Sequence, residues 1–282
     1  LIDESDLGTE KRISVLRVDF EGSTGYSEGG NITFKAIMWD KAGNATIGTE
    51  SESVIHIDET SPTMDSVSHK TNNAIADSLA KVGDTDTLIF RADEGLDSLK
   101  VQVLGQDAFS FGSNKDWQAT YEFQDSDMDG SVTFNIIYGD TAGNLGVEIM
   151  ASTDGSWVRF DGTLPTLTDV TFISTNDLDR DMAIMGDTLY LDFISGEDLL
   201  TREVFIAGSN ADTSFENQFF RTPFRSWRIM DGTEDEGYIP FKIGFSDLVG
   251  NVGDTVEATT DESSVLFDMT PPADFELDTV FV

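Results

Sequence analysis

The chain has 282 residues, no cysteine, and 53 acidic against 17 basic residues, which gives a formal net charge of −36. The lack of cysteine excludes disulfides and thiolate metal sites, and the acidity argues against nucleic acid as a partner, because phosphate binding needs basic side chains. The sequence holds no apolar run long enough for a membrane helix, so no membrane span is expected in this segment.

Three related phrases predict that the chain consists of tandem repeats. They are FKAIMWDKAGN from Phe34, FNIIYGDTAGN from Phe134 and FKIGFSDLVGN from Phe241. Their closing asparagines lie 100 and 107 residues apart, a spacing typical of whole domains rather than of solenoid turns. The predicted repeats are 1–60 (an incomplete first repeat, with C-terminal strands only), 61–163, 164–270, and 271–282 as the first strand of a further repeat.

Every predicted element is a short strand. Apolar and polar residues alternate within the three phrases, which is the period of a half-buried antiparallel strand. Pro240 is an irregularity in this pattern and is expected near a strand start or at a bulge. Short strands between turn residues, in a unit of about one hundred residues, predict a two-sheet sandwich. The apolar positions are Ile32, Phe34, Ala36 and Met38, then Val132, Phe134, Ile136 and Tyr138, then Ile239, Phe241, Ile243 and Phe245.

The shared motifs resemble the bacterial immunoglobulin-like tandem repeats of large surface adhesins. These motifs are Gly-Asp-Thr before a strand, Glu ahead of a leucine, Asp-x-Ala-Gly-Asn and Phe-Asp-x-Thr-x-Pro, and the resemblance covers the whole chain. It implies an all-β fold of tandem immunoglobulin-like antiparallel β-sandwich domains in a linear array. It also implies an extracellular or cell-surface location and stiffening by calcium, but it names no adhesion target.

The first repeat departs from the pattern. Leu1 aligns with Val101 in the third strand of a complete repeat, so the first two strands are missing. Two interpretations stay open: the chain is a window on a longer array, or the strand at 271–282 of one subunit completes the open sandwich of another. The second interpretation would make other copies of the chain its partners.

Acidic and amide side chains recur where a sandwich of this topology brings its chain entry, B–C loop and F–G loop to one end (the letters denote successive strands of the sandwich). Oxygen ligands of this kind suit calcium, so the sequence predicts a structural Ca²⁺ at each junction between repeats. Two alternatives stay open. Either the acidity reflects salt adaptation, or the motifs are structural: Asp-x-x-Gly-Asn is a turn whose side chains bond to their own backbone, and the glutamate before the leucine caps a loop. The candidate ligands are Asp58, Glu94, Asp140 and Asn144 at the first junction, and Asp161, Glu197, Asp247 and Asn251 at the second.

A weaker metal candidate is the segment DSDMDG. Its Asp125, Asp127 and Asp129 match the opening of a calcium loop, but Ile136 stands where such a loop carries its last ligand, a glutamate. The segment is better explained as an acidic turn between strands E and F, because the corresponding segments of the other repeats keep only part of its acids.

Enzymatic chemistry finds little support in this sequence. The chain has 2 histidines and none of the nucleophile, zinc or phosphate-loop motifs. Together with this lack, the resemblance to adhesin repeats implies a non-enzymatic stalk or filament on a bacterial cell surface, with neighbouring repeats as partners. The alternatives are a self-polymerising filament subunit joined by donated strands, and accessory modules of a secreted enzyme.

Overall fold

The structure, a computed structural model, describes residues 27–33, 35–39, 42–50, 55–213 and 223–274. These residues form strands and turns without a helix, which confirms the predicted all-β fold class for the described part of the chain. Accordingly, the described residues include no helix of the length and hydropathy needed to cross a membrane.

The described strands of the first repeat form two small antiparallel sheets. β1 pairs with β4, and β2 pairs with β3. The side chains of Phe34, Ala36 and Met38, predicted to face the core, lie outside the described set, as do residues 275–282 of the predicted last strand. The strands are β1 (Asn31–Ile32), β2 (Lys35–Trp39), β3 (Ala45–Glu50) and β4 (Ile55–His56).

The second repeat contains the next ten strands of the described chain. They pair in the orders β10-β11-β7-β5, β13-β8-β9 and β12-β14-β6, so strands close in sequence are distributed over different sheets. The strands are β5 (Met64–Thr71), β6 (Leu79–Ala80), β7 (Thr85–Ala92), β8 (Leu96–Val103), β9 (Gln106–Asp107), β10 (Phe109–Ser113), β11 (Asp116–Glu122), β12 (Gly130–Ser131), β13 (Phe134–Asp140) and β14 (Arg159–Phe160).

The third repeat reproduces this pairing strand for strand. Its orders are β20-β21-β17-β15, β23-β18-β19 and β22-β24-β16, and among the described residues no sheet combines strands of two repeats. The strands are β15 (Leu167–Ser174), β16 (Met182–Ala183), β17 (Thr188–Ser195), β18 (Leu199–Ile206), β19 (Ser209–Asn210), β20 (Asp212–Thr213), β21 (Phe224–Ile229), β22 (Gly237–Tyr238), β23 (Phe241–Asp247) and β24 (Leu266–Phe267).

The described chain divides into two compact units whose limits differ from the repeat boundaries. Unit 1 takes Thr87–Tyr121, Thr133–Ser156 and the described residues up to His69. Unit 2 takes Lys70–Asp86, Glu122–Val132 and the described residues from Trp157 onward. The second repeat therefore contributes to both units, and each site described below lies within one of them.

The alternating pattern correctly identifies the buried face of the F strands, β13 and β23. Pro240 directly precedes β23, as expected, and its carbonyl accepts a hydrogen bond from Ala207 N at 2.9 Å. The predicted core side chains are at most 9% exposed: Val132, Phe134, Ile136 and Tyr138, and their counterparts Ile239, Phe241, Ile243 and Phe245.

A glycine after the third repeat's F–G turn permits a close approach to the core. A Cβ on Gly253 would lie 2.2 Å from the Phe245 ring and 2.8 Å from Pro165 O. We expect Gly253→Ala to destabilise this repeat by about 1–3 kcal/mol in urea unfolding, because overpacking forces neighbours apart. Gly244→Ala is the matched control, since its added Cβ meets no atom within 4 Å. Equal losses in the two variants would contradict this explanation.

Candidate metal centres

Each complete F–G turn is organised by its aspartate. Asp247 Oδ1 accepts hydrogen bonds from the backbone N–H groups of Val249, Gly250 and Asn251 at 3.0, 2.8 and 2.8 Å. Gly250 has φ 90°, in the left-handed region that favours glycine. Asp140 Oδ1 makes the same three contacts in its own turn, at 2.7–2.9 Å. The turn interpretation of Asp-x-x-Gly-Asn is therefore confirmed, but a turn of this kind can also hold a ligand.

The asparagine that ends the motif binds the turn to the preceding linker. Asn251 Nδ2 donates to Asp247 Oδ2 at 2.8 Å, and to the carbonyl oxygens of Asp161 and Thr163 at 2.9 and 3.2 Å. All three contacts use the amide nitrogen. These contacts make Asn251 a residue that positions the linker, and an ion bound through its Oδ1 stays a prediction.

Asn144 has the same role at the first junction. Its Nδ2 donates to Asp140 Oδ2 at 2.8 Å and to Asp58 O at 3.1 Å. The linker residue of each junction is thus held next to the aspartate of the following F–G turn.

The structure brings the predicted carboxylates together at both junctions. In each group, one oxygen of every acid lies within 4.8 Å of the others. Two ligands on one Ca²⁺, bound at about 2.3–2.6 Å, can be at most about 5 Å apart, so the spacing fits a shared ion. In each cluster one acid comes from the linker. The second comes from the loop between β7 and β8, or between β17 and β18 in the third repeat, and the third ends β13 or β23. The first cluster is Asp58, Glu94 and Asp140, and the second cluster is Asp161, Glu197 and Asp247.

The donor atoms of both clusters are carboxylate oxygens, which favour hard cations over zinc or copper. Asp140 and Asp247 are 3% and 1% exposed. Their Oδ1 atoms are occupied by backbone N–H groups and their Oδ2 atoms each accept one amide N–H, so each has room for one further contact, through Oδ2. The residues present thus fit a calcium ion bound by three carboxylates, with its remaining ligands from carbonyls or water.

In the first cluster, burial and the close spacing of the carboxylates raise the pKa of Glu94. Burial raises the pKa of Glu94, and the charges of Asp58, Asp140 and Asp93 raise it further, while Lys115 opposes them. For Asp140, burial works in the same direction, but hydrogen bonds from its own turn outweigh it and hold the pKa below its ordinary value. Of these two acids, Glu94 is therefore the one that a proton reaches first.

In the second cluster, the pKa values of two acids are also raised. Burial, followed by the charges of Asp161 and Asp247 and then of Asp129 and Asp198, raises the pKa of Glu197 to about 7. Burial also raises the pKa of Asp161. Near neutral pH a proton therefore competes with any cation for this cluster.

The weaker metal candidate is arranged differently. Among the described residues, Asp125, Asp127 and Asp129 do not form a ligand group. Asp129 instead clamps the following linker, because its Oδ1 accepts from Gly162 N and its Oδ2 from Thr163 Oγ1, both at 2.6 Å. An ion bound by these three aspartates stays a prediction.

Sequence reasoning missed this clamp, although a signal for it was present. An acid directly precedes the glycine that begins β12 and the one that begins β22. The second of these acids, Glu236, accepts from Met269 N at 2.8 Å and from Thr270 Oγ1 at 2.9 Å. These two acids therefore fix the segment that follows the last described strand of each complete repeat.

No family model matches the chain, and no curated protein matches it. Among solved structures, the chain is similar to a chimeric titin Z1Z2-Z1Z2 tandem (TM-score 0.25, 10% identity, 74% of this chain and 100% of that chain). It is also similar to a putative membrane-anchored protein from Corynebacterium diphtheriae (0.25, 10%, 81% and 64%). A third is the Bacteroides ovatus protein SGBP-B of a mixed-linkage glucan utilization locus (0.22, 14%, 86% and 54%). These similar structures are immunoglobulin-like domains, and likenesses this remote carry no statement about function.

Proposed function

We propose that the chain is a non-enzymatic segment of an extracellular stalk or filament on a bacterial cell surface, and that Ca²⁺ stiffens its junctions. The observation that carries this proposal is the recurrence of one three-carboxylate cluster at two successive junctions. Each cluster takes one acid from a linker and two from the sandwich that follows, so an ion bound there connects the two.

Hydrogen bonds within the chain hold these carboxylates in place. The F–G turn fixes one aspartate, and the asparagine of the motif fixes the linker carbonyl beside it. Without a cation the three carboxylates repel one another, which favours conformations in which the linker moves away. A bound cation supplies the positive charge that reverses this repulsion and restricts the hinge.

Calcium is favoured over magnesium by the geometry of the donors. Magnesium requires near-ideal octahedral geometry and keeps several of its waters, whereas calcium accepts irregular sets of carboxylates and carbonyls. Salt adaptation accounts for a high acidic content, with a net charge of −36 here. It does not account for acids converging at equivalent positions of two junctions.

The binding stoichiometry tests the proposal directly. We expect isothermal titration of the metal-free chain with CaCl₂ to reveal two specific sites, one for each cluster. Glu94→Gln and Glu197→Gln should each remove one site and leave the other. Titration heats that match those of NaCl at the same ionic strength, with no saturable site, would overturn the proposal.

A further inference from the structure

Within unit 2, the F–G turn of the third repeat packs against one end of the second repeat. Asn73 Nδ2 donates a hydrogen bond to Val249 O at 3.0 Å, and a Cβ on Gly250 would lie 3.0 Å from Ile75 Cδ1. Asn73 is 9% exposed and Val249 is 4% exposed. This contact involves no carboxylate of either candidate metal centre, and it joins two successive repeats through an amide and apolar side chains.

The third repeat has an equivalent asparagine, Asn176, 103 residues further along the chain. The hydrogen bonds around it match those around Asn73, and we call this arrangement the frame. Asn176 Nδ2 donates to Asp187 Oδ2 at 2.9 Å, as Asn73 Nδ2 does to Asp84 Oδ2 at 2.7 Å. Asn176 Oδ1 accepts from Leu178 N at 3.0 Å, which matches the bond that Asn73 Oδ1 accepts at 2.9 Å. The frame that receives an F–G turn in the second repeat is therefore present in the third.

The surface around this second frame is apolar and, among the residues that the structure describes, exposed. Leu178, Ile184 and Met185 are 97%, 53% and 66% exposed, and with Asn176 they form what we name the apolar end surface. It borders an open depression of about 630 Å³. Among the described residues, the amide nitrogen of Asn176 has Asp187 as its partner and no carbonyl in the place that Val249 O takes for Asn73.

The linker that leaves the third repeat is held as the preceding linker is. Asp268 Oδ1 accepts from Thr270 N at 2.9 Å, and Asp161 Oδ1 accepts from Thr163 N at 3.1 Å. Glu236 clamps the later linker as Asp129 clamps the earlier one. A repeat that follows Thr270 therefore starts from the same local geometry as the third repeat does after Thr163.

We propose that the apolar end surface is the docking site for the F–G turn of an immunoglobulin-like repeat that follows the third repeat in tandem. The turn lies on Leu178 and Ile184, and the carbonyl two residues after its aspartate accepts the remaining N–H of Asn176. The proposal goes beyond the calcium junctions: it rests on the tandem arrangement in the proposed function but not on any metal ion.

The chemistry of the surface specifies the turn that fits it. Ile184 replaces the Lys81 found at the equivalent position of the second repeat, so the third repeat presents a more apolar surface. A turn such as Asp-Leu-Val-Gly-Asn, with Leu248 and Val249, suits it better than Asp-Thr-Ala-Gly-Asn. The clamped linker favours a tandem repeat as the occupant over a second copy of the chain.

A chain extended by one repeat tests this proposal. Residues 1–270 are followed directly by a second copy of residues 164–270, and unfolding is measured by calorimetry in chelator, so that calcium does not contribute. We expect Leu178→Asp in the first copy to lower the melting temperature of the added repeat by about 4 °C or more. In the 282-residue chain the same variant should shift melting by less than about 1 °C, because Leu178 is exposed there.

Ile75→Asp in the 282-residue chain is the positive control, because it perturbs the docking contact that already exists. An equally small effect of Leu178→Asp in the extended and original chains, with Ile75→Asp destabilising, would overturn the proposal and leave the calcium sites untouched. Dimerisation of the original chain that Leu178→Asp abolishes would assign the surface to a second copy and would also overturn it.

Discussion

Calcium is expected to raise the melting temperature of the metal-free chain by on the order of 10 °C when the free ion exceeds its dissociation constant a hundredfold. An ion that binds only the folded state adds about 2.7 kcal/mol per site under that condition. The effect should be large because each cluster places oxygens of three carboxylates within 4.8 Å of one another. In the metal-free folded chain these carboxylates repel one another, and the ion removes that repulsion. Differential scanning calorimetry with calcium and then with chelator measures both directions.

Matched variants separate specific binding from screening. Glu94→Gln should cancel the calcium effect on the second repeat, and Glu197→Gln should cancel it on the third. Glu203→Gln removes one negative charge from the exposed face of β18 and should leave both responses intact. A rise of the same size in NaCl at equal ionic strength, or a loss in Glu203→Gln, would show that screening of the net charge explains the stabilisation.

Much of the fold could be predicted from the sequence, because the alternation of apolar and polar residues identifies each strand locally. The alternation in β13 and β23 identifies the buried face, since successive side chains of a strand point to opposite sides. Comparison of the repeats adds support, because a pattern that recurs at equivalent positions of two copies does not arise by chance. The division into two compact units could not be predicted in this way, because it depends on contacts between segments distant in sequence.

The candidate site was predictable where a fixed topology brings loops together. Glu94 lies between β7 and β8, and Asp140 ends β13, so both reach the same end of the sandwich. The hydrogen bonds that Asn251 donates to the linker could not be predicted in this way, because sequence does not reveal which carbonyl oxygens lie beside an amide nitrogen. Its donation to Asp161 O depends on the path of the linker backbone.

The second large effect concerns pH in the metal-free chain. Burial and the charges of neighbouring aspartates raise the pKa of Glu197 from its ordinary 4.5 to about 7 in the folded state. Between these two values the folded chain binds a proton that the unfolded chain does not, so stability falls as pH rises through this window. The electrostatic cost is absent below about pH 4.5 and complete above about pH 7. We therefore expect the third repeat to melt at a higher temperature at pH 5.5 than at pH 8 in chelator.

Calcium should reverse this dependence, because the ion binds the ionised form of Glu197 and a proton displaces it. With saturating calcium, stability should rise from pH 5.5 to pH 8, so the two profiles cross. Glu197→Gln should flatten the metal-free profile of the third repeat and raise its melting temperature at pH 8, whereas Glu203→Gln should keep the slope of the original chain. Urea unfolding across this range measures the slopes. Parallel profiles with and without calcium would show that no cation shares the second cluster with Glu197, and an unchanged slope in Glu197→Gln would place the titrating group elsewhere.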